Sequence, residues 1–179
     1  QDCTDADIVA ICAGVAQKPG ESRLNLLKRN AQVFQSIIEP VTASGFNGIF
    51  LVATNPVDIM TRITCTLSGF NPRRVLGTGT ALDTARLRYL LGDYLKVDPR
   101  NVHAYVLGEH GDSEVPAWPL TSIAGMSMEE YCRDCRGCGG HLPERMREQF
   151  DAQVRGAAYT IIEGKGATYY GVAAAIRRI

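Results

Sequence analysis

The chain has 179 residues, of which 45% are hydrophobic and 21% are charged, and these proportions are ordinary for a globular protein. Its 19 basic residues balance 19 acidic ones, which argues against nucleic acid or a membrane surface as a partner. No apolar run approaches the roughly 20 residues that cross a bilayer, and the first residues do not resemble a signal peptide. We therefore expect reduced thiols and a cytoplasmic location.

Short apolar runs and helical patterns alternate over the first half of the chain. Continuous apolar runs are typical of parallel strands buried on both faces, and a three- and four-residue apolar period predicts helices. In order, the predicted elements are a strand at Ala6–Cys12, a helix at Leu24–Ala43, a strand at Gly48–Ala53, a helix from Pro56 to Gly69 and a strand that begins at Val75. This alternation predicts an α/β fold with a parallel, right-handed, doubly wound sheet.

The pattern changes after Gly79. The later predicted elements are a helix at Ala81–Leu95, an antiparallel strand at Val102–Leu107, a helix at Pro143–Lys165 and another from Tyr170 to the end. A boundary near Thr78 divides residues 1–78, the second half of a doubly wound (Rossmann) sheet, from residues 79–179, part of an α+β substrate domain. The G-x-G-x-x-G fingerprint is missing, so we expect a fragment truncated at both ends, with Ala6–Cys12 as an uncovered apolar edge.

Three cysteines form C-x-x-C-x-x-C at Cys132, Cys135 and Cys138. This spacing is found in zinc and iron–sulfur sites, and His141 is the nearest candidate for a fourth ligand. A glycine-rich surface loop that contains cysteines is the favoured interpretation, and no metal is predicted.

Hydride transfer to a 2-oxo acid requires a cation for the carboxylate, a proton donor and a group that polarises the carbonyl. The candidates are His110 in a glycine-flanked turn, Asp83 and Arg86 on one helix, Arg23 and Gln17 around a polar segment that could act as a lid, and Asn55 after a strand. Taken singly, each is more typical of a surface position or a helix cap than of a catalytic site. Together and in this order they favour a catalytic site.

Five segments carry a family resemblance. They are Ala13–Gly20, Ala53–Asp58, Leu82–Arg86, Gly108–Asp112 and Lys165–Tyr170. In these motifs the chain resembles the lactate/malate dehydrogenase family, in particular its bacterial L-lactate dehydrogenases, over essentially its whole length. The segment Cys132–His141 departs from the resemblance, and nothing is transferred to it.

The resemblance implies a role for each candidate. His110 would exchange the proton, Asp83 would hold its ring, Arg86 would bind the substrate carboxylate, and Arg23 would polarise the carbonyl. Asn55 would contact both substrate and nicotinamide. The cofactor would be NAD, contacted by Gly14, Val15, Ser36, Ala53, Thr54, Asn55 and Thr78.

The substrate follows from position 17 in this family. A malate enzyme needs a second cation there, whereas neutral Gln17 would leave the far carboxylate of oxaloacetate unpaired. Thr168 would form the wall that suits the methyl group of pyruvate. The resemblance thus implies interconversion of pyruvate and L-lactate, as in fermentation. Malate dehydrogenase, a non-catalytic protein on this fold and a fragment inactive on its own are the alternatives.

Arg88 and His103 are not needed for the reaction, and their spacing alone is typical of a surface arginine and a strand histidine. The resemblance implies more, because bacterial family members activated by fructose 1,6-bisphosphate carry arginine and histidine at these positions. It therefore implies an allosteric homotetramer in which the bisphosphate neutralises cations at a subunit interface.

Overall fold

A computed structural model describes residues 3–16, 20, 22–135 and 139–179, except for the side chain of Arg23. The chain divides into two compact units, Gln1–Gly79 and Thr80–Ile179. Within the described residues, none of the helices has both the length and the apolar character that a bilayer crossing requires.

The first unit is a three-stranded parallel sheet with its crossover helices. Its elements are β1 (Ile8–Ile11), α1 (Arg23–Ala43), β2 (Ile49–Val52), α2 (Val57–Ser68), a 3-10 turn (Pro72–Arg74) and β3 (Val75–Gly77). The strands lie in the order β1-β2-β3, with Ile8 opposite Ile49 and Phe50 opposite Val75. Two parallel crossovers in sequence order confirm the predicted half of a doubly wound sheet.

Aromatic and aliphatic side chains form the core of this unit. Phe34 and Ile38 on α1, Phe50 on β2 and Met60 on α2 are fully buried. The prediction that the first strand is buried on both faces is wrong, since Ile8 is 56% exposed. Ile8 is exposed because β1 is an outer strand of the described sheet. This position agrees with the uncovered edge expected from the sequence.

The second unit combines helices with short antiparallel pairs. Its elements are α3 (Ala81–Leu95), a 3-10 turn (Pro99–Asn101), β4 (Val102–His103), β5 (Val106–Leu107), β6 (Val115–Pro116), a 3-10 turn (Trp118–Leu120), β7 (Ser122–Ile123), β8 (Met126–Ser127), α4 (Met128–Asp134), α5 (Glu144–Lys165) and α6 (Tyr170–Arg178). The single strand predicted at Val102–Leu107 is wrong in one respect. It is divided in two, and β4 pairs with β7 whereas β5 pairs with β6.

The cysteine segment also differs from the favoured interpretation. Cys132 is fully buried in the core of the second unit, where its thiol contacts the sulfur of Met128 at 3.7 Å. It therefore acts as a small apolar residue of α4 rather than as part of a surface loop. Cys135 is half-buried at the end of α4, and Cys138 lies outside the described residues.

Candidate active site

A hairpin loop holds His110 against the beginning of α3. The loop runs from Gly108 to Glu114 between β5 and β6, which pair antiparallel. Two threonines fix β5 in place. The hydroxyl of Thr80, the N-cap of α3, donates to the Val106 carbonyl at 2.6 Å, and the hydroxyl of Thr84 in the first turn accepts from the Val106 amide at 2.9 Å. The loop can therefore reach the first turn of α3.

The sequence-predicted pair of His110 and Asp83 meets at this point. His110 Nδ1 lies 2.6 Å from Asp83 Oδ2, and Arg86 Nη1 lies 3.0 Å from Asp83 Oδ1. The Asp83 side chain is only 2% exposed, whereas those of Arg86 and His110 are 17% and 24% exposed. Asp83 thus binds two cationic groups from the buried side of the cluster, and both groups remain accessible to a ligand.

The charges in this cluster support each other. Hydrogen bonds that His110 donates to Asp83 and then to Glu114 raise its pKa from the ordinary 6.5 to about 10, against the effect of burial. Burial alone would raise the pKa of Asp83, but the hydrogen bond from His110 and the charges of His110 and Arg86 outweigh it, so the pKa of Asp83 lies below 3.8. His110 is therefore charged and able to donate a proton at neutral pH.

Sequence reasoning missed Glu114, a further member of this cluster. Its residue is 1% exposed, and its Oε2 lies 3.6 Å from His110 Nδ1 and accepts the Gly111 amide at 3.4 Å. The signal in the sequence was a carboxylate four residues after His110 in a loop with two glycines. Those glycines, Gly108 and Gly111, have φ values of 94° and 125°, which turn the loop back on itself.

The same three side chains have the composition of a metal site, since ligand atoms of Asp83, His110 and Glu114 lie within 4.8 Å of one another. A histidine nitrogen that binds a metal has no proton to share. The 2.6 Å separation of His110 Nδ1 from Asp83 Oδ2 is instead that of a charge-assisted hydrogen bond. The arrangement is that of an acid–base group.

In the first unit, the predicted cofactor residues gather at the carboxyl ends of the strands. The Val15 amide donates to Asn30 Oδ1 at 2.8 Å, and the Thr54 hydroxyl donates to the Ala13 carbonyl at 2.7 Å. A Cβ on Gly14 would lie 2.9 Å from Thr54 Cγ2 and 3.2 Å from Asn30 Oδ1. Asn30, which is 2% exposed, is a second residue that sequence reasoning missed.

The strand ends also include Ala53 and Thr78. The Ala53 amide donates to the carbonyl of Ile11 at 3.0 Å, and the Thr78 amide donates to that of Val52 at 2.9 Å. Each strand end is thereby tied to its neighbour. Backbone atoms at the carboxyl ends of all three strands thus lie side by side, which is where open α/β sheets bind their ligands.

Other predicted residues are not part of these two groups. Ser36 lies on the exposed side of α1, where its hydroxyl donates to the Val33 carbonyl at 2.8 Å, so the structure does not join it to the strand ends. Gln17 and the side chain of Arg23 lie outside the described residues. Asn55 is exposed directly after β2, and half-buried Thr168 lies in the connection between α5 and α6.

Arg88 and His103 lie next to each other in the second unit. Arg88 Nε donates to the Ala104 carbonyl at 2.9 Å, and its guanidinium lies 5.2 Å from the centre of the Tyr105 ring. His103, the residue before Ala104, is exposed. The guanidinium of Arg88 is thus bound to the backbone of the residue next to His103.

Comparison with protein families agrees with both units. Residues 1–77 match the NAD binding domain of lactate/malate dehydrogenase, and residues 80–179 match its alpha/beta C-terminal domain. The chain belongs to the lactate/malate dehydrogenase family. The resemblance stated from the motifs is therefore confirmed.

Curated members of this family are similar over the whole chain. The chain is 53% identical to the L-lactate dehydrogenase of Geobacillus kaustophilus over 178 residues, which cover 99% of this chain and 55% of that protein. It is also 53% identical to the L-lactate dehydrogenase of Acetivibrio thermocellus over 179 residues, which cover 100% of this chain and 56% of that protein. The chain thus spans about half the length of these relatives.

Solved structures of the lactate/malate dehydrogenase family are also similar. A lactate dehydrogenase from a Medee basin deep-sea metagenome library matches with a TM-score of 0.94 at 46% identity, covering 99% of this chain and 55% of that one. The ligand-bound minor L-lactate dehydrogenase of Enterococcus mundtii matches with a TM-score of 0.92 at 48% identity and the same coverage. These matches confirm the predicted fold class.

Proposed function

We propose that the full-length protein containing this chain is an L-lactate dehydrogenase that interconverts pyruvate and L-lactate with NAD. The observation that carries the proposal is the cluster of His110, Asp83 and Arg86. It holds a charged histidine and an arginine on one buried carboxylate, with both cationic groups still accessible. The curated relatives at 53% identity support the same activity.

In this mechanism Arg86 binds the substrate carboxylate, because a guanidinium offers two parallel donors to such a group. His110 then donates its proton to the carbonyl oxygen as the alcohol forms, and takes it back in lactate oxidation. Asp83 fixes the ring through Nδ1, which directs the other ring nitrogen toward the substrate, and stabilises the imidazolium. Arg23 is proposed to polarise the carbonyl when the segment before α1 closes.

Residues 1–78 are proposed to bind NAD, and residues 79–179 to bind the substrate. The strand ends fit a dinucleotide, because Cys12, Ala13 and Gly14 form an exposed stretch of small residues and Asn30 fixes the backbone beside them. Gly14, Val15, Ala53, Thr54, Asn55 and Thr78 would hold the cofactor, with Ser36 a weaker candidate because it faces away on α1. NAD supplies the hydride chemistry when bound.

Pyruvate is the proposed substrate on the basis of Gln17 and Thr168. A neutral residue at position 17 gives no partner to the second carboxylate of oxaloacetate, and an unpaired buried carboxylate is costly. Asn55 is proposed to hydrogen-bond the substrate oxygen. The cytoplasmic location expected from the thiols stays a prediction.

The deciding experiment is a steady-state assay of the full-length protein with NADH. We expect kcat/KM for pyruvate to exceed that for oxaloacetate by at least about 100-fold, which is the effect of one uncompensated buried charge. A preference for oxaloacetate would identify a malate dehydrogenase instead. Reduction of neither substrate would contradict a catalytic role.

We also propose that the protein is a homotetramer activated by fructose 1,6-bisphosphate through Arg88 and His103. The support is that the Arg88 side chain binds the backbone carbonyl of Ala104, the residue that follows His103. A bisphosphate between such pairs from two subunits would relieve their repulsion. Pyruvate saturation is measured with and without the effector for the wild type and for Arg88→Gln. We expect the effector to lower the KM for pyruvate of the wild type only; an unresponsive wild type would contradict the assignment.

A further inference from the structure

Two carboxylates, rather than one, face the ring of His110. Asp83 makes the direct hydrogen bond to Nδ1 at 2.6 Å, and Glu114 Oε2 stands 3.6 Å from the same nitrogen. We infer that Glu114 is a positioning residue that acts through His110, holding the imidazole in place and favouring its charged form. This inference rests on the proposed function of His110 as the proton donor.

The buried carboxylate of Glu114 has few hydrogen-bond partners besides His110. The side chain is 2% exposed, and its Oε1 has no hydrogen-bond partner in the described part of the chain. Its Oε2 accepts the Gly111 amide at a long distance of 3.4 Å and faces His110 Nδ1 at 3.6 Å. A buried carboxylate with so little hydrogen bonding needs a nearby cation, and the imidazolium at 3.6 Å is such a cation.

The remaining charged side chains, Arg86, Arg155 and Asp112, bind atoms other than the carboxylate of Glu114. From α3, Asp83 and Arg86 bind each other at 3.0 Å. From α5, Arg155 directs Nε and Nη2 to the backbone carbonyl of Glu114, at 3.2 and 2.9 Å. Arg155 therefore fixes the loop at Glu114. Asp112, on the same loop, accepts from the hydroxyl of Tyr159 at 3.3 Å.

The net charge of the cluster also depends on the proton of His110. The carboxylates of Asp83 and Glu114 are matched by Arg86 and by His110 only while His110 carries its proton. Loss of that proton leaves a net negative charge in a region where both carboxylates are buried. Because an opposite charge within about 4–6 Å shifts a pKa by about 1–3 units, Glu114 extends the pH range over which His110 can donate.

The test uses the full-length protein and three variants. Glu114→Gln removes the charge and keeps the shape, Glu114→Asp keeps the charge, and Glu109→Gln removes an exposed carboxylate from the same loop. The first readout is the pH profile of kcat/KM for pyruvate reduction, whose basic limb reports the proton donor of the free enzyme. We expect Glu114→Gln to move that limb to lower pH by about one unit or more. Glu114→Asp and Glu109→Gln should leave it within a few tenths of a unit.

The second readout does not depend on activity. Diethyl pyrocarbonate modifies a histidine only while its imidazole is neutral. The pH dependence of its reaction at His110, followed by peptide mass mapping, therefore reports the same pKa. It should fall in Glu114→Gln as the kinetic limb does. If Glu114→Gln does not fold by circular dichroism, Glu114→Ser replaces it in both measurements.

The outcomes separate this inference from the proposed function. An unshifted His110 pKa in the neutral variants, with activity reduced equally at every pH, would show that Glu114 is merely structural and would overturn the inference. A wild type that reduces no pyruvate would instead overturn the proposed function. In that case the modification experiment still decides whether Glu114 acts on His110.

Discussion

The two candidate sites are formed by different kinds of chemical groups. In the first unit, the strand ends are held by backbone hydrogen bonds, small residues and one buried amide, Asn30. In the second unit, the loop of His110 and the start of α3 bring together four ionisable side chains, two of which are buried carboxylates. The first arrangement provides shape, and the second provides charge and protons.

This difference predicts how each site should respond to substitution. A backbone-lined edge changes when packing changes, so its mutations should affect stability and cofactor binding together. The function of a cluster of paired charges depends on protonation and on orientation. A conservative change there should therefore remove activity with little loss of stability. Each substitution below tests that distinction between the two sites.

The largest effect is expected from His110→Gln, which removes the proposed proton donor. Pyruvate reduction should fall by about 10²–10⁴-fold, the usual contribution of one general acid–base residue, while the thermal transition stays near that of the wild type. The measurement is kcat/KM with NADH, together with a melting curve. His141→Gln, at an exposed position, is the control and should retain full activity. A His110→Gln variant with near-normal turnover would remove His110 from the mechanism.

The next effect concerns specificity. Gln17→Arg should raise the ratio of kcat/KM for oxaloacetate to that for pyruvate by about 100-fold, because it supplies the missing cation. Gln17→Glu, with the opposite charge, should lower the same ratio. Both substrates are assayed in all three proteins. If the ratio does not respond to either charge, position 17 does not face the substrate.

A smaller effect is expected at the strand ends. Asn30→Ala removes the acceptor of the Val15 amide, and an unpaired buried donor costs about 1–3 kcal/mol. Urea unfolding should show that loss, and the KM for NADH should rise with it. Gln35→Ala, on the same helix, removes only an exposed hydrogen bond to Glu39 and should change stability by less than about 0.5 kcal/mol. Equal effects of the two would mean that Asn30 has no special role.

The smallest effect is a gain. Gly156 lies within α5, and a Cβ added there would meet nothing within 4 Å. Gly156→Ala should therefore raise the free energy of unfolding by up to about 1 kcal/mol. Gly14→Ala, where a Cβ would lie 2.9 Å from Thr54, should be destabilising. A stabilising effect at both positions would show that the strand end tolerates added volume.

Much of this architecture could be predicted from the sequence. The apolar runs and helical periods predicted the parallel sheet, and the helix predicted at Ala81–Leu95 has those bounds in the structure. His110, Asp83 and Arg86 were grouped because a proton donor needs a carboxylate and a 2-oxo acid needs a cation. Chemistry with strict requirements can be recognised from few residues.

The remainder depends on contacts between distant parts of the chain. The break within Val102–Leu107 arises because its two halves pair with different strands, which periodicity cannot show. Glu114 and Asn30 act through burial and turn geometry, and each looks like an ordinary polar residue in the sequence. Cys132 belongs to a core that includes residues of α3 and α5, so its local glycine-rich surroundings were a poor guide.

The pairing of β1 with β2 has a consequence for the order of folding. Ile8 meets Ile49 about 40 residues further along the chain, whereas β7 and β8 pair across a short hairpin. Closing the longer loop costs more chain entropy, and non-local pairing slows folding. Trp118, which packs near Phe150 in the second unit, would report early structure by its fluorescence. Recovery of NADH binding would follow later, because the strand ends form only when that loop has closed.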